Sequence, residues 1–100
     1  MTHYSVVSVT PSRTDWIEPY LDRVTPLVQR HGGRYLARTA SHGLLEGEGA
    51  PALQVILEWP SEEAERSFHA DVDYARWLEA RLAGSESRWA SIAGKDDFAR

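Results

Sequence analysis

The 100-residue chain is expected to form an α+β domain whose elements run strand, helix, strand, strand, helix, strand. Three observations predict that order. Runs with strand character, rich in β-branched and apolar residues, occupy Tyr4 to Val9 and Leu53 to Trp59. Between them Ile17, Leu21, Val24 and Val28 recur at three- and four-residue steps, the stripe of an amphipathic helix. A second helical zone, Ser61 to Gly84, separates the third strand from a last one.

Each element has its own start and stop. Pro11-Ser12 ends the first strand, and Ser12-Arg13-Thr14-Asp15 has the form of a capping box, which predicts a helix from residue 13 to 15 onward. Pro19 suits a first turn, whereas Pro26 removes a backbone donor well inside and predicts a kink near residues 22 to 26. Gly32 follows the last apolar position, where helices commonly close on a left-handed residue. Arg30 and His31 complement the dipole of that last turn. The Gly32-Gly33 pair is not a phosphate cradle, because a cradle needs strand, glycine loop, then helix, and the order here is helix, glycines, strand.

Arg34 to Ser41 reads as the second strand. In the third, Leu53, Val55, Leu57 and Trp59 fall on one face, and Gln54, Ile56 and Glu58 on the other. The glycine-rich connection "HGLLEGEGAP" is long for a hairpin. Pro60 ends the strand, and Ser61-Glu62-Glu63 begins a helix with a cap hydroxyl and acids in its first turn. Ala64 and Phe68 mark its buried side. Asp71 or Asp73 caps a further helix carrying Tyr74, Trp77, Leu78, Arg81 and Leu82 at helical spacing, which Gly84 closes. Ser87 to Ala93 is a short fourth strand.

This is the ferredoxin-like β-α-β-β-α-β pattern, a single domain over residues 1–100 with its second helical region split in two. One antiparallel four-stranded sheet then carries helices on one face only. Both alternation phases hold apolar side chains: Leu36 beside Tyr35, Ile56 beside Val55, Ile92 beside Trp89. A second copy related by a two-fold axis is the simplest cover for the bare face, so a homodimer is expected.

Composition excludes several classes. With no cysteine there is no disulfide, thiolate nucleophile or cysteine metal site. A net charge of −4 with scattered basic residues opposes nucleic-acid binding. No apolar run could span a bilayer and the first residues lack signal-peptide character, so a cytoplasmic protein without membrane contact is expected. The four histidines form neither His-x-His nor His-Glu-x-x-His, and no metal or cofactor is expected.

"HGGRYLAR" after the long helix, "VILEWPSEEAERSFH" at residues 55–69 and "DYARWLEAR" at 73–81 resemble domain-of-unknown-function family 1330. The resemblance covers roughly residues 4 to 93. It implies membership of the dimeric α/β-barrel superfamily, in which two ferredoxin-like sheets face each other. Relatives there include cofactor-free monooxygenases, isomerases and haem enzymes, so the fold does not select a reaction. His31 stands where the family usually has an aromatic residue. Asp71-Val72-Asp73-Tyr74 stands in place of a Ser-Pro-Glu-Tyr step, and the 43–51 loop also differs.

Candidate site residues follow from position. His69 ends the first short helix, beside a break where loops often line clefts, and an imidazole can act as a base near neutral pH. Simple strand alternation puts Arg34 and Arg38 on one face. Arg38 and Glu58 could meet to orient an anionic or carbonyl ligand, or form an ion pair that fixes register. Tyr35 and Trp59 could line a flat apolar pocket, though aromatics at such spacing are more often core. Three functions stay open: a small-organic-ligand binder with its cleft between sheet and helices; a cofactor-independent oxygenase or isomerase using His69 with Arg38 or Tyr35; and a structural or regulatory partner domain without a pocket.

Overall fold

The computed structural model describes residues 1–100. Strand β1 (His3–Pro11) leads to helix α1 (Ile17–Arg30), then strands β2 (Arg34–Thr39) and β3 (Leu53–Trp59). Helices α2 (Glu62–His69) and α3 (Ala75–Gly84) follow, and strand β4 (Ser85–Ala93) ends the fold. The strands form one antiparallel sheet in the order β2-β3-β1-β4. The expected ferredoxin-like fold, with its divided second helical layer, is what forms. Within one chain the sheet is open, not closed into a barrel. No helix is long and apolar enough to cross a membrane.

Alternation of β1 assigns the layers. His3, Ser5, Val7 and Val9 are buried beneath the helices, while Tyr4, Val6 and Ser8 face outward and are half-exposed. Leu57 and Trp59 continue the inner face on β3, against Val24 and Val28 of α1, Phe68 of α2 and Tyr74. Phe68 is the hub, with its ring centroid 4.3 Å from that of Tyr74 and 5.3 Å from that of Trp59. Aromatic packing of this kind adds about 0.5–1.5 kcal/mol per pair to the burial itself.

Several boundaries differ from expectation, each for a tertiary reason. The capping box does not form: α1 starts at Ile17 with Trp16 as N-cap and no side-chain cap. The preceding turn is instead held by the Gly84 carbonyl, which accepts from the Ser12 and Arg13 N–H groups and from Trp16 Nε1 at 2.9, 3.3 and 3.0 Å. Helix α1 runs to Arg30 with Pro26 inside it, as the sequence places it. Strand β4, short by its weak Ser/Glu/Arg/Ala composition, is nine residues long and pairs with β1 along its whole length. Pairing overrides propensity there. Leu82 lies off the buried side of α3 and is exposed.

Gly32 closes α1 as expected, with φ +80° and its N–H donating to the Gln29 carbonyl. The turn is then fixed from outside. His31 Nε2 and Arg30 Nη2 reach the Asp71 carboxylate at 2.7 and 2.6 Å. Hydrogen bonds from His31, the Asp73 backbone N–H and Arg30 hold that carboxyl far below the usual range.

Candidate functional site

Helix α1 crosses the inner sheet face without filling the space beneath it. A cavity of about 380 Å³ remains, within the size of small-molecule sites. Ile17, Leu21 and Val24 form its helical wall, and Val7, Val9 and Val55 its sheet wall. Fifteen of the eighteen lining residues are hydrophobic, so an apolar occupant is favoured. The ionisable side chains in the lining are Tyr20, Tyr35, Arg38 and Arg81; it holds no carboxylate and no imidazole.

A β-bulge in β2 brings two of the sequence candidates together. Tyr35 pairs with Leu57, and the register then slips so that Ala37 pairs with Ile56 and Arg38 with Val55. Leu57 and Val55 both face inward, so Tyr35 and Arg38 share the cavity face. The Arg38 guanidinium carbon lies 3.9 Å from the Tyr35 ring centroid, and Nη1 donates to Thr25 Oγ1 at 2.8 Å. Simple alternation would have paired Arg38 with Arg34, and the bulge overturns that. Arg34 lies opposite Glu58, which it contacts at 3.0 Å. Glu58 therefore belongs to a register-fixing ion pair with Arg34, not to a site with Arg38.

The tyrosines of the cavity stay protonated. Burial first, then the neighbouring Tyr74 hydroxyl 2.9 Å away, pushes Tyr20 far above its ordinary value. Burial likewise raises Tyr35, against the opposing pull of Arg38 and Thr25.

Trp59 does not line this cavity. It is wholly buried, and its Nε1 donates to Ser5 Oγ at 2.8 Å. That bond is one end of a polar network absent from the sequence reading. Ser5 Oγ donates to Glu65 Oε2. Trp89 Nε1 donates to the same oxygen at 3.0 Å, and Ser91 Oγ to Oε1 at 2.5 Å. His3 Nε2 lies 2.7 Å from Ser91 Oγ and 3.7 Å from Glu65 Oε1. Glu65 is 4% exposed. Its burial pushes the carboxyl up, but bonds from Ser5, Ser91 and Trp89, with His3 nearby, outweigh this and hold it below the ordinary range. A signal was available: His3 and Ser5 share the inward phase with Val7 and Val9, and Glu65 precedes Phe68 by three residues on one helix face.

His69 belongs to this second region. It lines an open groove with His3, Glu65, Trp89 and Ser91, its ring edge-on to Trp89 at 5.6 Å and to Tyr74 at 5.9 Å. Desolvation and the charge of Arg81 lower its pKa despite Glu65, and so favour the neutral imidazole. His69 and Arg38 thus line separate spaces and do not converge. No group of three His, Asp or Glu side chains is arranged to hold a metal ion.

Similar folds are known. A protein of unknown function from Rhodopseudomonas palustris superimposes with a TM-score of 0.77 at 18% identity, over 95% of this chain and 83% of that one. SnoaB, a cofactor-independent oxygenase from Streptomyces nogalater, gives 0.66 at 18% identity over 99% and 98%. A dimeric ferredoxin-like protein of unknown function from Jannaschia gives 0.66 at 7% identity over 93% and 99%. At these identities the likeness is one of fold. No curated protein matches. A family model does, along residues 2–95, and by it the chain belongs to the family described as a domain of unknown function, DUF1330.

Proposed function

We propose that the chain binds a small apolar organic molecule in the cavity between α1 and the sheet, as half of a soluble, cytoplasmic homodimer. The observation that carries this reading is the 380 Å³ apolar space between α1 and the sheet, lined by fifteen hydrophobic residues. A partner domain without a pocket would have no use for it. Oxygenation without a cofactor, the chemistry of SnoaB, and isomerisation alike call for a base beside the ligand. Protonated tyrosines and guanidinium groups supply none, so binding is favoured over catalysis.

Val55→Phe tests the reading. An added ring in empty space leaves the unfolding midpoint unchanged or higher while abolishing binding of 2-naphthalenemethanol. In a filled core the same change costs about 1–3 kcal/mol, and that loss, or undiminished binding, would contradict the proposal.

The dimer is supported by the bare sheet face and by the dimeric Jannaschia neighbour. Val6 pairs with Ile56 and Tyr4 with Ile92 there, with Ile56 39% and Ile92 47% exposed. Two such faces packed together would give the two-sheet barrel of the superfamily. Light scattering is expected to give twice the chain mass of 11.3 kDa, and Ile56→Asp to give the single-chain mass. A wild-type monomer at micromolar concentration would refute the arrangement.

A further inference from the structure

Arg81 stands on the buried side of α3 and is 4% exposed, yet it makes no ion pair. Its Nη1 donates to Ser87 Oγ at 2.5 Å, and its guanidinium carbon lies 5.7 Å from the Trp89 ring centroid. Its Nε–H has no partner, the one buried side-chain polar atom of the molecule left so. A buried cation is normally matched by a carboxylate, and a buried donor by an acceptor. The carboxylate of the same layer, Glu65, is already engaged by Ser5, Trp89 and Ser91.

Arg81 also lines the apolar cavity. The second guanidinium of the lining, Arg38, has a hydroxyl and an aromatic ring for neighbours and likewise no ion pair. Arg38 is exposed and solvated, but a buried guanidinium without a counter-ion beside an apolar space, in a chain of net charge −4, is not accounted for by folding alone.

We propose that the cavity takes an apolar, ring-sized molecule bearing one acidic oxygen, a carboxylate or enolate, which is held by the charge of the Arg81 guanidinium. This rests on the binding reading above and specifies its ligand class. The hydrocarbon body fills the space among Val7, Val24 and Val55. The anion supplies the counter-ion that Arg81 lacks, a charge-assisted contact roughly twice as strong as a neutral one. Arg38, exposed on the β2 side, attracts the anion on entry without fixing it.

The probes are 2-naphthoate and its neutral counterpart 2-naphthalenemethanol, titrated at pH 7.5 against the fluorescence of Trp16 and Trp89, both of which line the cavity. Naphthoate is expected to bind at least tenfold tighter than the alcohol. Arg81→Met should remove that preference while leaving alcohol binding within about threefold, and Arg38→Met should keep it. Equal wild-type affinities would overturn the role of Arg81 and leave the cavity reading intact; so would a preference that survives Arg81→Met or vanishes with Arg38→Met. Because the wild-type comparison decides on its own, a misfolded Arg81 variant does not blunt the test. Binding of neither probe overturns the cavity reading and this inference with it.

Discussion

Replacing Glu65 by alanine is expected to destabilise the fold by about 3–5 kcal/mol, the range for removing one member of a buried charged cluster. Ser5, Trp89 and Ser91 all donate to its carboxylate, and Ser5 in turn accepts from Trp59. Loss of the acceptor leaves the O–H proton of the fully buried Ser5 and the Trp89 N–H without acceptors. Glu65→Gln should lose only about 1 kcal/mol. Its carbonyl oxygen can replace Oε2 beneath Ser5 and Trp89, and its amide can donate to Ser91, whose proton then turns toward His3.

The same residue sets an acid limit. The carboxyl is held below its ordinary value in the folded chain, so between the two values the unfolded chain binds more protons and stability rises with pH. The contribution of Glu65 is therefore full above the ordinary carboxylate value, about 4.3, and is lost as pH falls through the lowered one. Urea titrations of wild type and Glu65→Gln should differ by a constant amount near neutrality and converge in acid. A difference that grows below pH 4 would show the sign to be wrong.

The second large effect is expected at Gly33. A Cβ there would lie 2.6 Å from the Val28 side chain and 2.6 Å from Trp59 Cζ3, both among the most buried residues of the core. Trp59 cannot yield without disturbing Phe68, whose ring packs tilted against it at 5.3 Å. Gly33→Ala should lose about 2–3 kcal/mol by overpacking. Gly32→Ala should lose only about 1–2 kcal/mol, the penalty of a left-handed residue carrying a Cβ. Chemical denaturation at fixed protein concentration checks the order, and equal losses would mean that α1 does not approach β3 as closely as described.

The paired glycines show what was and was not legible in the sequence. Gly32 was readable because helix termination is local chemistry. Gly33 was not, since what it makes room for is Trp59, twenty-six positions away. Strand phase was likewise legible on β1 and β3, where alternation is regular, and failed on β2, where one bulge moves Arg38 to the cavity face. Arg81 was visible as a charged residue within the apolar stripe of Tyr74, Trp77 and Leu78. Its lack of a carboxylate partner was not, because that depends on which groups three other elements bring near.

Two positions singled out in the sequence also meet in three dimensions. His31 and the Asp71-Val72-Asp73 step lie forty residues apart, yet His31 Nε2 bonds Asp71 Oδ2 at 2.7 Å. The ring also packs edge-on at 6.1 Å from Phe68, where an aromatic residue would sit equally well. An imidazole keeps that packing and adds a hydrogen bond that a carboxylate at residue 71 can accept.

The central claim is that an apolar molecule enters the space between α1 and the sheet. Nuclear Overhauser contacts between the ring protons of bound 2-naphthalenemethanol and the methyl groups of the protein test it most directly. Contacts are expected to Val7, Val24 and Val55 of the cavity and none to Ile56 or Ile92 of the opposite face. Contacts confined to Ile56 and Ile92, or none to any methyl at saturating probe, would contradict it.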